Sequence, residues 1–174
     1  AGDRPPRRDR VRGADVVTDP QNSVPGEHDR WIPDDEWETI VANVPLVSVD
    51  LVIDHDGGVL LGKRENEPAK GEWFVPGGTV FKNESRTEAV HRVATEELSE
   101  AVVIDECLGT YEHFYETADV DGVDSKHYLA TGYRCHFERD DPEIVGDDQH
   151  SDFRVFRPPF EDIHPYVRAY LDDR

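Results

Sequence analysis

The chain has 174 residues, enough for one domain with a full core and a tail. Acidic residues outnumber basic ones 39 to 19, for a formal net charge of -20, and only four lysines are present: Lys63, Lys70, Lys82 and Lys126. This balance opposes binding of a nucleic-acid polymer, whose phosphates would be repelled, and no apolar run approaches the roughly 18 residues of a membrane span. An acidic surface with more arginine than lysine suits a high-salt cytoplasm, where molar salt screens carboxylate repulsion to about 3 Å.

Residues 1–30 read as a flexible solvated arm, with Pro5, Pro6, Pro20 and Pro25 and no apolar period. Arg7-Arg8 resembles the start of a twin-arginine signal, but charge interrupts the stretch that follows, so that reading is rejected. The folded domain is expected over 31–174. Pro33 to Val44 predicts a short helix with Trp37, Ile40, Val41 and Val44 on one side. Leu46 to Ile53 predicts a strand, Asp56-Gly57-Gly58 a tight turn, and Val59 to Arg64 a second strand. Trp73-Phe74-Val75 reads as a further strand that Pro76-Gly77-Gly78 ends.

The next segment is the clearest helix. Ser85 and Glu88 form a capping box, and Ala89, Val90, Val93, Ala94 and Leu98 make a stripe that must face a sheet. Strands are expected over 101–116 and 127–138, separated by a polar loop from Thr117 to Lys126, and again near 152–156. A last helix starts at Pro165. The fold class is therefore α/β, a mixed sheet between helices. Cys107 and Cys135 lie in strand-like segments without metal-ligand spacing; they read as reduced, buried thiols rather than a cross-strand disulfide. Asp119, Asp121 and Asp124 lack the ligand spacing of a calcium loop.

Chemistry concentrates between Gly77 and Leu98. Two glycines free the backbone, so that a carbonyl can turn toward a ligand. Glu97 lies at the edge of the apolar stripe and Glu96 beside it, on the row of Arg92 and Glu88. Such an oxygen-rich site suits magnesium when phosphate and water complete its shell. A solvated acidic helix face is the competing reading.

The spacing of Gly78, Glu84, Arg92 and Glu96-Glu97 resembles the Nudix box, entered by Trp73-Phe74-Val75-Pro76. Val93 stands where ordinary Nudix pyrophosphatases carry a helix glutamate, and Ser99 replaces the last glycine. Pro45 to Asp50, Leu60 to Arg64, Trp73 to Gly78, His113-Phe114-Tyr115, His127-Tyr128 and Asp148-Gln149-His150 are similar, in order, to the GDP-mannose mannosyl hydrolases, which also lack that glutamate. The resemblance implies a Nudix-like α/β/α sandwich, a homodimer, and cleavage of a nucleotide sugar at the anomeric carbon. It implies magnesium, with manganese as substitute, held by Glu97, the Gly77 carbonyl and Gln149, with Glu96 nearby. His150 would be the general base on a loop. Arg64, Arg92 and Tyr128 would touch or support the diphosphate, Arg64 and Tyr128 counting with His150 as catalytic. Asp50 and His113 would lie near the sugar, and Glu84 would position the box.

Two departures bear on the substrate. Thr79 replaces an arginine of the mannosyl hydrolases, with Lys82 or Arg86 as possible substitutes, and Glu96 is acidic where that family usually is not. The second reading is thus a Nudix pyrophosphohydrolase acting at phosphorus. A nucleotide-sugar binding module without turnover is a third.

Overall fold

The computed structural model describes residues 32–146 and 150–172. The order is α1 (Asp34–Asn43), β1 (Leu46–His55), β2 (Gly58–Arg64), β3 (Trp73–Phe74), β4 (Gly77–Thr79), α2 (Arg86–Leu98), β5 (Val102–Tyr115), β6 (Lys126–Phe137), β7 (His150–Phe156) and α3 (Pro165–Asp172). The predicted elements are all present, with one addition. Gly77-Gly78 does not end a strand; it begins β4, which returns along β1.

Strand β1 organises the sheet. One edge pairs with β6 in parallel from Leu46↔Tyr128 to Asp54↔His136. The other edge is shared between β4, at Ser48 to Asp50, and β2, at Asp54 and His55. The path runs β3-β2-β1-β6-β5, and β7 adds to β2. All pairings except β1–β6 are antiparallel, so the sheet is mixed.

Both faces of the sheet are covered, which explains the nearly continuous apolar run of β1. Val49, Leu51 and Ile53 pack with Ala89, Val90, Val93, Ala94 and Leu98 of α2. Val52, on the opposite face, packs with Val59, Leu61 and Phe74, and with Val167, Tyr170 and Leu171 of α3. Asp50 shares the Val52 face by strand alternation, and this places a carboxylate under α3. Helix α2 starts as expected: Ser85 Oγ accepts from Glu88 N, and Ser85 N donates to Glu88 Oε2 at 2.7 Å. Ser99 ends it in the left-handed conformation, doing the work of the glycine it replaces.

The cysteines are both free thiols. Cys135 is buried as expected, and burial pushes its thiol up to about 12. Cys107 is exposed, contrary to expectation, because β5 is an edge strand. Cys135 pairs with Ile104 and Cys107 with Tyr133, so the two are not opposite one another. No helix among the described residues is long and apolar enough to cross a membrane.

Candidate active site

A cleft of about 610 Å³ opens where β4 and β2 diverge along β1. Its lining includes Asp50, Arg64, Gly77, Arg92, Glu96, Glu97, His113 and Tyr128, all expected from sequence. Residues up to 78 positions apart in sequence, Asp50 and Tyr128, are brought together by the β1–β6 and β1–β4 pairings.

The geometry at β4 follows from its register. Leu51 N donates to the Pro76 carbonyl and Val80 N to the Val47 carbonyl, both at 2.8 Å. Alternation in an antiparallel ladder then turns the peptide groups of Gly77 and Thr79 away from β1. Gly77 N–H donates to Glu97 Oε2 at 3.2 Å, and the Thr79 carbonyl accepts from Arg92 Nη2 at 2.9 Å. The Gly77 carbonyl shares that outward edge. Glycine is required here: a Cβ at 77 would lie 2.5 Å from Asp50 Oδ1, and one at 78 would lie 2.9 Å from Val93 Cγ2.

Arg92 is the anchor of the box. Nε donates to Glu84 Oε1 at 2.7 Å, Nη2 to Glu84 Oε2 at 3.0 Å and Nη1 to Glu96 Oε2 at 2.8 Å, and the guanidinium lies 4.2 Å over Phe81. Glu88, on the same helix row, accepts from Ser85 N in the cap. Most of its donors are committed, so Arg92 shapes the cleft more than it reaches into it. Glu84 also accepts from Phe81 N at 2.9 Å, which fits a positioning role.

The α3 side of the cleft is polar and buried. Tyr170 donates to Asp50 Oδ2 at 2.7 Å, and His113 Nδ1 lies 3.9 Å from the same oxygen. Burial pushes the Asp50 carboxyl up to about 6, against the lowering effects of Tyr170 and Arg64. Burial, with His164 nearby, pushes His113 down to about 4. Tyr166 stacks on His113 with centroids 4.2 Å apart. Arg64 Nε donates to the Pro68 carbonyl at 2.8 Å, which fixes the guanidinium at the mouth.

His150 departs from expectation. It is the first residue of β7 rather than part of a loop, pairs in register with Arg64 and is buried. Gly62 makes room for its ring; a Cβ there would lie 2.5 Å from His150 Cδ2. Nδ1 stands 4.0 Å from Glu97 Oε2, but His150 does not line the cleft. Gln149 lies outside the described residues. Among the alternatives to the missing arginine at Thr79, Lys82 lines the cleft, while Arg86 turns to Thr131 Oγ1 at 3.4 Å. Sequence reasoning read Asp119 only as part of an acidic loop near the site and did not assign Lys126 or Tyr170 to it; Tyr170 meets Asp50 across 120 positions, and no motif marks the Lys126–Asp119 pair.

No cluster of three or more His, Cys, Asp or Glu side chains suited to a metal occurs among the described residues. What is present is a buried carboxylate, Glu97, an outward backbone carbonyl at Gly77, and Glu96. These all-oxygen donors fit magnesium, which keeps several shell positions for phosphate and water.

The NUDIX domain model matches residues 44–171. The chain is 67% identical over 141 residues to the low-salt glycan biosynthesis protein Agl8 of Haloferax volcanii, covering 81% of this chain and 89% of that one. It is 42% identical over 67 residues to an ADP-ribose pyrophosphatase of Methanocaldococcus jannaschii, covering 38% of this chain and 40% of that one. Among solved structures, a MutT NUDIX hydrolase from Burkholderia pseudomallei superposes with a TM-score of 0.56 at 28% identity, covering 75% of this chain and 98% of that one. A MutT protein from Methanosarcina mazei gives 0.60 at 22%, with 75% and 94% covered. With the box assembled at the cleft and the family model spanning most of the chain, this protein belongs to the Nudix hydrolases.

Proposed function

We propose that the chain is a magnesium-dependent hydrolase of a GDP-hexose, with GDP-mannose as the named substrate, releasing GDP and the free sugar by attack of water at the anomeric carbon. The observation that carries this reading is Val93. It is buried, and its Cγ2 fills the space over Gly78, so no helix carboxylate stands there to direct water at phosphorus. The residues left in the cleft suit a leaving diphosphate: Arg64 and Tyr128 to bind it, Glu97, Glu96 and the Gly77 carbonyl to hold magnesium or manganese, with Gln149 as a further ligand. Magnesium, when bound, neutralises the diphosphate so that it departs without a proton from a general acid. His150 acts as general base, at the Glu97 end; Asp50 and His113 hold the sugar. The enzyme works in the cytoplasm, as its acidic composition suits, and as a homodimer, on the strength of the family resemblance.

Glu96, lining the cleft beside Glu97, favours a second reading, pyrophosphohydrolase attack at phosphorus. Hydrolysis of GDP-mannose in oxygen-18 water separates the two. Label in the sugar and unlabelled GDP is expected; GMP with labelled phosphate would install the second reading. His150→Ala lowers turnover by about 10²–10⁴-fold if it is the base. Loss with Asp50→Asn, and none with His150→Ala, would transfer that role to Asp50.

A further inference from the structure

Lys126 carries a charge that the proposed chemistry does not use. Its side chain is 5% exposed, at the start of β6, paired with Asp119 of the β5–β6 loop, and both line the cleft. Withdrawing an ammonium from water is costly, and its compensation here is a carboxylate that is itself 45% exposed and the Tyr128 ring, whose centroid lies 5.8 Å from Nζ. The parallel register, Leu46↔Tyr128, puts Lys126 level with Val44, at the end of α1. Six positions of extended chain, about 20 Å, separate that level from Asp50 and its β4 partner Gly77. The β5–β6 loop lies against α1 there, for a Cβ at Gly122 would be 2.9 Å from Glu38 Oε1.

The facing wall is apolar. Ile32 and Val44, two of the six exposed large hydrophobics among the described residues, line the cleft with half-buried Trp37, and strand alternation puts Val44 on the same face as Lys126. A flat heterocycle covers such a wall better than a hydroxylated sugar does. A nucleobase seated on it would meet an ammonium with three N–H donors and a carboxylate with two acceptor oxygens, side by side.

We propose that Lys126 and Asp119 select the base, by reading the adjacent carbonyl and ring N–H of an oxo-base while Trp37 and Val44 cover its face. Lys126 donates to the carbonyl, O6 of guanine or O4 of uracil. Asp119 accepts from the neighbouring N–H, N1 or N3. Adenine and cytosine present an amine and a bare ring nitrogen in those places, so donor meets donor and acceptor meets acceptor. The inference rests on the nucleoside-diphosphate substrate proposed above.

Binding of GDP, UDP, ADP, CDP and inorganic pyrophosphate is measured by calorimetry on the full chain in magnesium and molar KCl. The unmodified protein is expected to favour GDP and UDP over ADP and CDP by about tenfold or more, since a paired readout is typically worth that much. Asp119→Asn, on an exposed loop, removes the preference while pyrophosphate binding holds; Lys126→Met does the same. Equal affinity for oxo- and amino-bases in the unmodified protein, or a preference surviving Asp119→Asn, overturns the proposal. A preference for GDP over UDP locates further contacts at the guanine amine and supports it. If GDP-mannose is not hydrolysed although the base preference is present, the proposed reaction falls and the base reading stands.

Discussion

Asp50 and His113 make opposite demands on the fold as pH changes, and this can be tested without substrate. Native Asp50 protonates at about 6 against an ordinary 3.8, so between those values the folded protein holds a proton that the unfolded chain has lost. That contribution is full below pH 3.8 and disappears as pH rises through 6. Native His113 protonates only at about 4 against 6.5, so between these values the unfolded chain holds the extra proton, and stability rises with pH. Both side chains are buried, and each displacement corresponds to about 3 kcal/mol at full effect. Together they cancel: near pH 5 the native pair holds one proton, as does the unfolded pair. Asp50→Asn removes one half. Relative to the unmodified, metal-free protein, this variant is expected to lose about 3 kcal/mol between pH 6.5 and 4. His113→Gln should show the mirror image, losing stability as pH rises from 4 to 6. Denaturant melts in EDTA and constant molar KCl, read as differences at each pH, cancel the many surface carboxylates. A stability difference that does not vary between pH 4 and 6.5 in either variant would refute the reasoning.

Two further outcomes are expected. Glu97→Gln should weaken magnesium binding and turnover by orders of magnitude, measured by metal titration and steady-state kinetics, because one anion is lost from a hard-cation site; Glu96→Gln should matter less, and the reverse order would favour attack at phosphorus. Thermal stability should rise steeply from low to molar KCl, given a net charge of -20 on 174 residues, and equal melting temperatures at both extremes would sink the salt-adapted reading of the surface.

What the amino-acid sequence determined by itself is the local part. The Ser85–Glu88 box, the α2 stripe and the strand periods are decided over a few residues, and each is present in the fold. The spacing from Gly78 to Glu97 was legible because a single strand–helix unit contains it, including the buried Val93 that substitutes for a carboxylate. Composition predicted two buried thiols and was wrong for Cys107, since only strand order makes β5 an edge. His150 read as a loop residue because Asp147-Asp148-Gln149 before it is polar; its pairing with Arg64, 86 positions away, makes it the start of a strand. The Tyr170–Asp50 bond spans 120 positions, and the Lys126–Asp119 pair faces α1 only because β6 runs parallel to β1. Short-range capping and periodicity are written into neighbouring residues. Which carboxylate is desolvated, and which cation it meets, depends on how distant strands register, and that is settled only when the sheet closes over its two cores.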